Sequence, residues 1–438
     1  MKTPHFEKPA KLLLQGGTVV DPEQALEQKA DILIEHGRIT AVGSHLHVED
    51  ARVVDCRGLI ISPGWLDMHV HFREPGREDE ETVRSGCHAA AAGGFTGACP
   101  MPNTEPAADQ RGIIEYMIAE AADTPVEVFP IAAATKNRAG RELSEMADLL
   151  EGGAVAFSDD GVSIATAEMA RRAMEYASMF DVPIIEHCEE PSLTEKGAMH
   201  EGAVSTRLGI PGMPGVAEDI IVARDILLAE FTGARLHIAH ISTARSIELV
   251  RQAKAKGIRV TCEVTPHHFT LTDEAVASYD ANYKMNPPLR SAQDVEAVIE
   301  GLRDGTIDVI ATDHAPHSPE EKDVEFTLAP FGIIGLETAM GLIMTRLVKP
   351  GHLSLTEALR KITGNPRRIL KLTVPRIEPN QPANLTLFHP DQEWVVDDKA
   401  FYSRSRNSPF IGWKLQGKIH GIFNRGMLWL NPDERSEP

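Results

Sequence analysis

Apolar residues along this chain gather in strand-length runs, and between positions 63 and about 372 these alternate with longer segments of helical period. Eight runs stand out, at 59–72, 95–101, 126–134, 154–158, 182–187, 235–241, 258–265 and 307–312. Among the intervening segments, 166–177 reads as a helix, and so does 246–256, with basic residues and Gly257 at its C-terminal end. Eight such units predict an α/β fold, a (β/α)8 TIM barrel.

The two ends of the chain read differently. Short β-rich stretches occur at Leu12-Leu13-Leu14 through Val19-Val20 and again over 30–43, where Glu35-His36-Gly37 looks like a hairpin turn. Similar material returns at 383–388 and 421–430. The pattern predicts a small β-sandwich domain built from both termini, residues 1–62 and 373–438, beside a barrel over 63–372. At 438 residues the chain exceeds one ordinary core but suits a barrel of about 250 residues with additions.

A hydrophobic content of 42% and a charged content of 25% are those of a soluble globular protein. The net charge of −20 and the lack of any Lys/Arg block argue against a nucleic-acid partner. An anionic substrate would then need a local positive pocket, which draws attention to individual arginines. Cys56, Cys87, Cys99, Cys188 and Cys262 are scattered without CxxC spacing, as reduced thiols of a cytoplasmic protein would be. Residues 1–8 hold no hydrophobic signal core, and no run approaches the roughly 18 to 20 apolar residues of a membrane span.

The chemistry begins at Asp67-Met68-His69-Val70-His71-Phe72-Arg73. Two histidines one residue apart on a strand project to the same face, as two ligands of one metal must. Further donors end other apolar runs: Asp159-Asp160, His187, His240 and Asp313. A lone His or Asp at a strand end is more often structural, but this many in one local setting point to a site. In a barrel they would all stand at the C-terminal strand ends, where active sites of that fold lie. Imidazole and carboxylate donors together suit zinc ahead of manganese or iron. A carboxylate bridging two metals would come from the end of the fourth strand. Zinc would generate hydroxide near neutral pH, and Asp313 is placed to take the proton of that water. His267 and His268 are adjacent, so at most one faces the barrel, and neither is included.

The stretch Pro63-Gly64-Trp65-Leu66-Asp67-Met68-His69-Val70-His71-Phe72-Arg73-Glu74-Pro75-Gly76 resembles the amidohydrolase superfamily, and its end resembles the dihydroorotases. So do Met101-Pro102-Asn103-Thr104, Phe157-Ser158-Asp159-Asp160-Gly161, Glu186-His187-Cys188-Glu189, His240-Ile241-Ser242-Thr243, Lys284-Met285-Asn286-Pro287-Pro288-Leu289-Arg290 and Ala311-Thr312-Asp313-His314-Ala315-Pro316-His317. The resemblance implies a class I, longer bacterial type enzyme that reversibly cyclises N-carbamoyl-L-aspartate to L-dihydroorotate in pyrimidine biosynthesis. By the same resemblance, one or two Zn2+ would be held by His69, His71, Asp160, His187, His240 and Asp313, with a zinc-bound hydroxide as nucleophile and Asp313 as proton shuttle. Motif position favours Asp160 over Asp159; periodicity alone does not choose between them.

The resemblance further implies that Arg73 and Asn103 hold the substrate α-carboxylate, a role that suits a guanidinium fork. Asn286 would contact the ring amide, His317 would assist at the carboxylate end, and Phe331-Gly332 would offer backbone N–H groups. The long segment 318–335 would overhang the site as a lid, against the blander reading of a solvated loop. Bland alternatives stand elsewhere too: Arg73 pairing with Glu74 or Asp79, Asn103 as a turn residue, and one of His314 and His317 as a packed loop residue. Whether Arg290 reaches substrate stays open.

Hydantoinases, dihydropyrimidinases and many allantoinases carry a carboxylated lysine at the fourth strand, and this chain has no lysine between Lys136 and Lys196. That absence, with Phe72-Arg73, argues against a hydantoinase- or allantoinase-like cyclic amidase. A silent barrel that only supports aspartate transcarbamoylase would be expected to have lost ligands, and all are in place. A homodimer, and association with aspartate transcarbamoylase while active, are both compatible with the resemblance.

Overall fold

The structure, a computed structural model, describes residues 4–432. The first three residues of the N-terminal stretch and the last six of the C-terminal segment read above lie outside the described residues. In chain order the strands are β1 (Lys11–Asp21), β2 (Leu26–Glu35), β3 (Arg38–Gly43), β4 (Arg52–Asp55), β5 (Ile60–Pro63), β6 (Trp65–Val70), β7 (Phe95–Pro100), β8 (Glu127–Val128), β9 (Ile131–Ala133), β10 (Ala156–Ser158) and β11 (Pro183–Glu186). A short pair, β12 (Met199–His200) and β13 (Gly212–Met213), interrupts before β14 (Arg235–Ile238), β15 (Val260–Val264) and β16 (Val309–Ile310). The chain finishes with β17 (Leu385–Val395), β18 (Lys414–Asn424) and β19 (Met427–Leu430).

Strands from both ends of the chain share one eight-stranded sheet, in the order β19-β18-β17-β5-β1-β2-β3, with β4 also on β1. Its β2–β3 hairpin turns at His36 (φ 49°) and Gly37 (φ 75°), the two left-handed residues a two-residue turn of this hand requires. Leu12, Leu14, Val19, Ile32, Ile34, Ile61, Leu385, Leu387 and Phe423 make its core.

The middle of the chain is parallel. One sheet runs β6-β7-β8 and another β9-β10-β11-β14-β15-β16, with helices between successive strands. The two meet at the third run, 126–134, which is broken rather than continuous. Pro130 has no N–H to give the ladder, and the pairing passes across it through Phe129 N to Ala98 O (2.9 Å) and Val155 N to Pro130 O (3.1 Å). At the other end of the series, Val70 forms a parallel bridge with His314, and His71 N donates to His314 O at 2.8 Å. All six residues of β6 are buried, as in a strand covered on both faces.

The run 59–72 also proves to be two strands in two different sheets. β5 pairs with β1 and β17, while β6 pairs with β7, and only Gly64 separates them. A Cβ at Gly64 would lie 1.8 Å from Asn384 Oδ1 and 2.2 Å from Thr96 Oγ1, so the crossing is too tight for a side chain.

Of the two helices read from the pattern, Ala167–Ser178 starts at a Thr166 cap that accepts from Met169 N at 3.1 Å. The other, Ala244–Ala255, starts two residues earlier than the pattern suggests because Thr243 caps it, accepting from Ser246 N at 3.0 Å. The segment 318–335 carries a short helix, Pro319–Lys322, and its Lys322 is folded under: Nζ donates to Ala281 O and Pro330 O, both at 2.9 Å. No helix among the described residues is long and apolar enough to cross a membrane.

Candidate metal centre

Each donor read from the sequence sits at or just beyond the C-terminal end of a parallel strand. His69 lies in β6 and His71 one residue past it; Asp160, His187, His240 and Asp313 follow β10, β11, β14 and β16. Their side chains converge and are buried. His69 Nε2 is 3.4 Å from Asp160 Oδ1, His71 Nε2 is 3.6 Å from Asp160 Oδ2, and His187 Nδ1 and His240 Nε2 lie 3.8 and 3.7 Å from Asp160 Oδ1. Asp313 Oδ1 is 2.9 Å from His71 Nε2 and 3.5 Å from His69 Nε2. Two potential ligand groups result, His69-His71-Asp160 and Asp160-His187-His240, and Asp160 belongs to both.

The donor set fits a divalent metal by what it leaves unpaired. His69 Nε2, Asp160 Oδ1 and His240 Nδ1 are buried without a hydrogen-bond partner, an arrangement that costs free energy unless something else satisfies those atoms. Burial alone would raise the Asp160 carboxyl, but the surrounding imidazoles, His69 above all, hold it well below the ordinary carboxylate range. Asp313 is likewise kept low, burial being outweighed by His69 and His71. The backbone is strained where it turns into the site: Arg73 (φ 61°), His240 (φ 31°) and Asp313 (φ 50°) are all left-handed without being glycine.

A second layer orients these groups; sequence reasoning singled out Asn103 from it, as a substrate contact, and missed the roles of Glu263, Glu189 and Asp67. Glu263 on β15 accepts from His69 Nδ1 at 2.6 Å and faces His237 Nε2 at 3.3 Å; although burial opposes it, His69 and His237 pull its pKa down to about 2. A carboxylate behind a ligating imidazole fixes its tautomer and raises its basicity. Asn103 Oδ1 does the same for His71 Nδ1 at 2.8 Å, and Glu189 Oε2 lies 3.2 Å from His187 Nε2. Asp67 ties strand ends together, accepting from His69 N and Thr312 N, each at 3.1 Å. The only hint of Glu263 in the sequence is a charged residue inside an apolar run.

Beside the cluster opens a cavity of about 220 Å3, lined by His71, Asp160, His187, His240 and Asp313. Arg73, Asn103, Asn286, His317, Phe331 and Gly332 complete the wall, so the structure gathers every residue read as substrate-binding. Arg73 pairs with neither Glu74 nor Asp79; its Nε faces Glu80 Oε2 at 3.2 Å. Asn286 Nδ2 donates to Glu189 Oε2 at 2.5 Å, and His317 Nε2 meets Phe331 O at 2.8 Å. Gly332 (φ 123°) gives its N–H to Lys284 O at 2.9 Å, so that donor is spent within the fold.

Other candidates point elsewhere. Asp159 binds Thr135 through N at 2.9 Å and Oγ1 at 2.5 Å, turned away from Asp160. His268 lies between Thr265 Oγ1 (2.7 Å) and Pro287 O (2.9 Å). His314 is a packed residue whose Nδ1 accepts from Gly335 N at 3.1 Å. Arg290 is engaged with Ser242 Oγ at 3.0 Å and Glu218 Oε2 at 3.4 Å and does not line the cavity.

Comparison with known proteins agrees with this geometry. Solved structures of the L-hydantoinase (dihydropyrimidinase) of Arthrobacter aurescens and of the dihydropyrimidinase of Brevibacillus agri superpose with TM-scores of 0.84 and 0.81 over 95% of this chain and 95% and 94% of theirs. Identities of 23% and 22% make this a likeness of fold. The fold is the amidohydrolase fold that these structures share. A family model described as dihydro-orotase-like matches residues 58–246. A dihydroorotase of Pelotomaculum thermopropionicum is 54% identical over 93% of this chain and 95% of its own length, and one of Syntrophus aciditrophicus 51% identical over 97% and 100%. The chain belongs to the dihydroorotase family.

Proposed function

We propose that the chain is a cytoplasmic dihydroorotase, interconverting N-carbamoyl-L-aspartate and L-dihydroorotate in pyrimidine biosynthesis, with zinc held by His69, His71, Asp160, His187, His240 and Asp313. The observation that carries the reading is Asp160, shared by two ligand groups on the floor of a cavity that also holds Arg73. Its shared position supports two metals rather than one. Bound zinc would supply Lewis acidity and a water acidic near pH 7.

The chain's own residues do the rest. Arg73 and the Asn103 amide bind the substrate carboxylate, and Asn286 contacts the ring amide. The Phe331 N–H serves the part first read for the Phe331-Gly332 pair, and His317 stands at the carboxylate end. Asp313, kept ionised by its imidazole neighbours, takes the proton of the attacking water and delivers it to the leaving ring nitrogen. Ring closure reverses that transfer. The proposal includes a closed (β/α)8 barrel over 63–372, supported by the Val70–His314 bridge, and a β-sandwich from 1–62 and 373–438, supported by the sheet that both termini share.

The test is turnover of both compounds by the purified, zinc-loaded chain, followed by ultraviolet absorbance, with hydantoin and allantoin in parallel. Selective, chelator-sensitive turnover in both directions is expected; turnover of hydantoin or allantoin alone sinks the reading. Sedimentation of the same sample, with and without an aspartate transcarbamoylase, reports on a homodimer or a mixed assembly.

A further inference from the structure

Glu80 lies outside every stretch that carries the family resemblance, yet its carboxylate is the hub of the cavity's basic side. It is 2% exposed and sits in the turn that leads from β6 to the helix Val83–Ala92. Its Oε2 is 3.2 Å from Arg73 Nε, and its Oε1 is 2.9 Å from His317 Nδ1 and 3.2 Å from Arg77 Nη2. Glu321, on the short helix of segment 318–335, joins from the far side at 3.3 Å from His317 Nδ1 and 2.6 Å from Arg77 Nη2.

A guanidinium can meet a carboxylate side-on, through Nε and one terminal nitrogen, or end-on, through both terminal nitrogens. In Arg73 the Nε edge is taken twice, by Glu80 and by Pro316 O at 3.1 Å. That leaves the two terminal nitrogens for the cavity that Arg73 lines, with Nη2 also close to His317. His317 Nε2 stands 3.3 Å from Arg73 Nη2, so the same carboxylate that turns the arginine also sets the imidazole beside it.

We propose that Glu80 is a positioning residue that fixes Arg73 and His317 so that the cavity accepts a substrate carboxylate end-on, and thereby sets the preference for a carboxylate-bearing ring. The inference rests on the dihydroorotase reading of Arg73. Removing Glu80 would take away the carboxylate paired with the buried guanidinium and leave Pro316 O as the remaining hold on its Nε edge.

The experiment compares L-dihydroorotate with 5,6-dihydrouracil, the same ring without the carboxylate, on the metal-loaded full chain and its Glu80→Ala and Glu80→Gln variants. Glu80→Ala is expected to raise KM for dihydroorotate tenfold or more, equivalent to about 1.4 kcal/mol. Dihydrouracil kcat/KM should stay level, so the preference between the two collapses. Glu80→Gln, which keeps the shape without the charge, should fall between and guards against a variant that fails to fold. If dihydrouracil turns over too slowly, calorimetry with orotate against uracil gives the same comparison. Equal losses on both rings would mean a merely structural role and overturn the proposal, as would no change in either. A wild-type chain that prefers dihydrouracil sinks the dihydroorotase reading itself, and the inference with it.

Discussion

The donor cluster and the core of the eight-stranded sheet are both buried but follow opposite rules. In the sheet, apolar side chains such as Leu14, Ile32 and Leu385 fill the core, and β5 pairs with β17 without a shift of register. In the cluster, His69, Asp160 and His240 each bury a polar atom with nothing to bond, and three residues around it hold left-handed backbone. Local chemistry and fold agree in the first region and conflict in the second. Such conflict persists only where something outside the chain or a function compensates for it.

That contrast breaks most sharply under chelation. Stripping metal should abolish turnover entirely while the far-ultraviolet signature of the sheet persists, and zinc should restore activity; a chelated chain that still turns over would end the metal reading. Next in size, Asp313→Ala should lower kcat about 10²- to 10⁴-fold, as loss of a general acid–base group does, with a melting temperature near or above the parent's. Near-normal kcat would remove Asp313 from proton transfer.

In the sheet the effects should invert. Leu385→Ala, at a fully buried position, should cost about 2–5 kcal/mol in denaturant unfolding yet leave kcat of the folded fraction unchanged. A changed kcat there would show that the two regions are not independent. The smallest effect belongs to His268, whose pKa is pushed down to about 3 by burial against the opposing Pro287 carbonyl. Its neutral form is favoured in the fold, so its contribution is complete above the unfolded pKa of about 6.5 and is lost as pH falls from there toward 3. His268→Gln should therefore flatten the acid-side decline in unfolding free energy, by about 1 kcal/mol over the first pH unit below 6.5. Parallel curves for variant and parent would refute it.

The sequence was most legible where chemistry is repeated locally. His69 and His71 on one strand face need only the alternation of a β-strand to be read, and the donors ending four later runs need only their place in the pattern. The partners that orient them are non-local. Glu263 is far from His69 in the chain and reaches it only because β15 lies across the parallel series, and Asn103 meets His71 across adjacent strands. Motif position favours Asp160, but periodicity does not separate it from Asp159, because the run before them is apolar on both faces; Thr135 is what takes Asp159 away. The double nature of 59–72 was hidden for a related reason. Both of its halves are buried, Ser62 included, so exposure to water does not mark the change of sheet, and Gly64 reads as an ordinary glycine until its neighbours Asn384 and Thr96 are known.

The Gly64 crossing bears on how the molecule is made. As the chain leaves the ribosome, β5 finds β1 at once, but its other neighbour, β17, pairs Leu387 with Ile61 and is among the last strands synthesised. Until β17 is made, β5 presents an open sheet edge one residue away from the strand that holds His69, an edge that the growing chain must keep from pairing elsewhere.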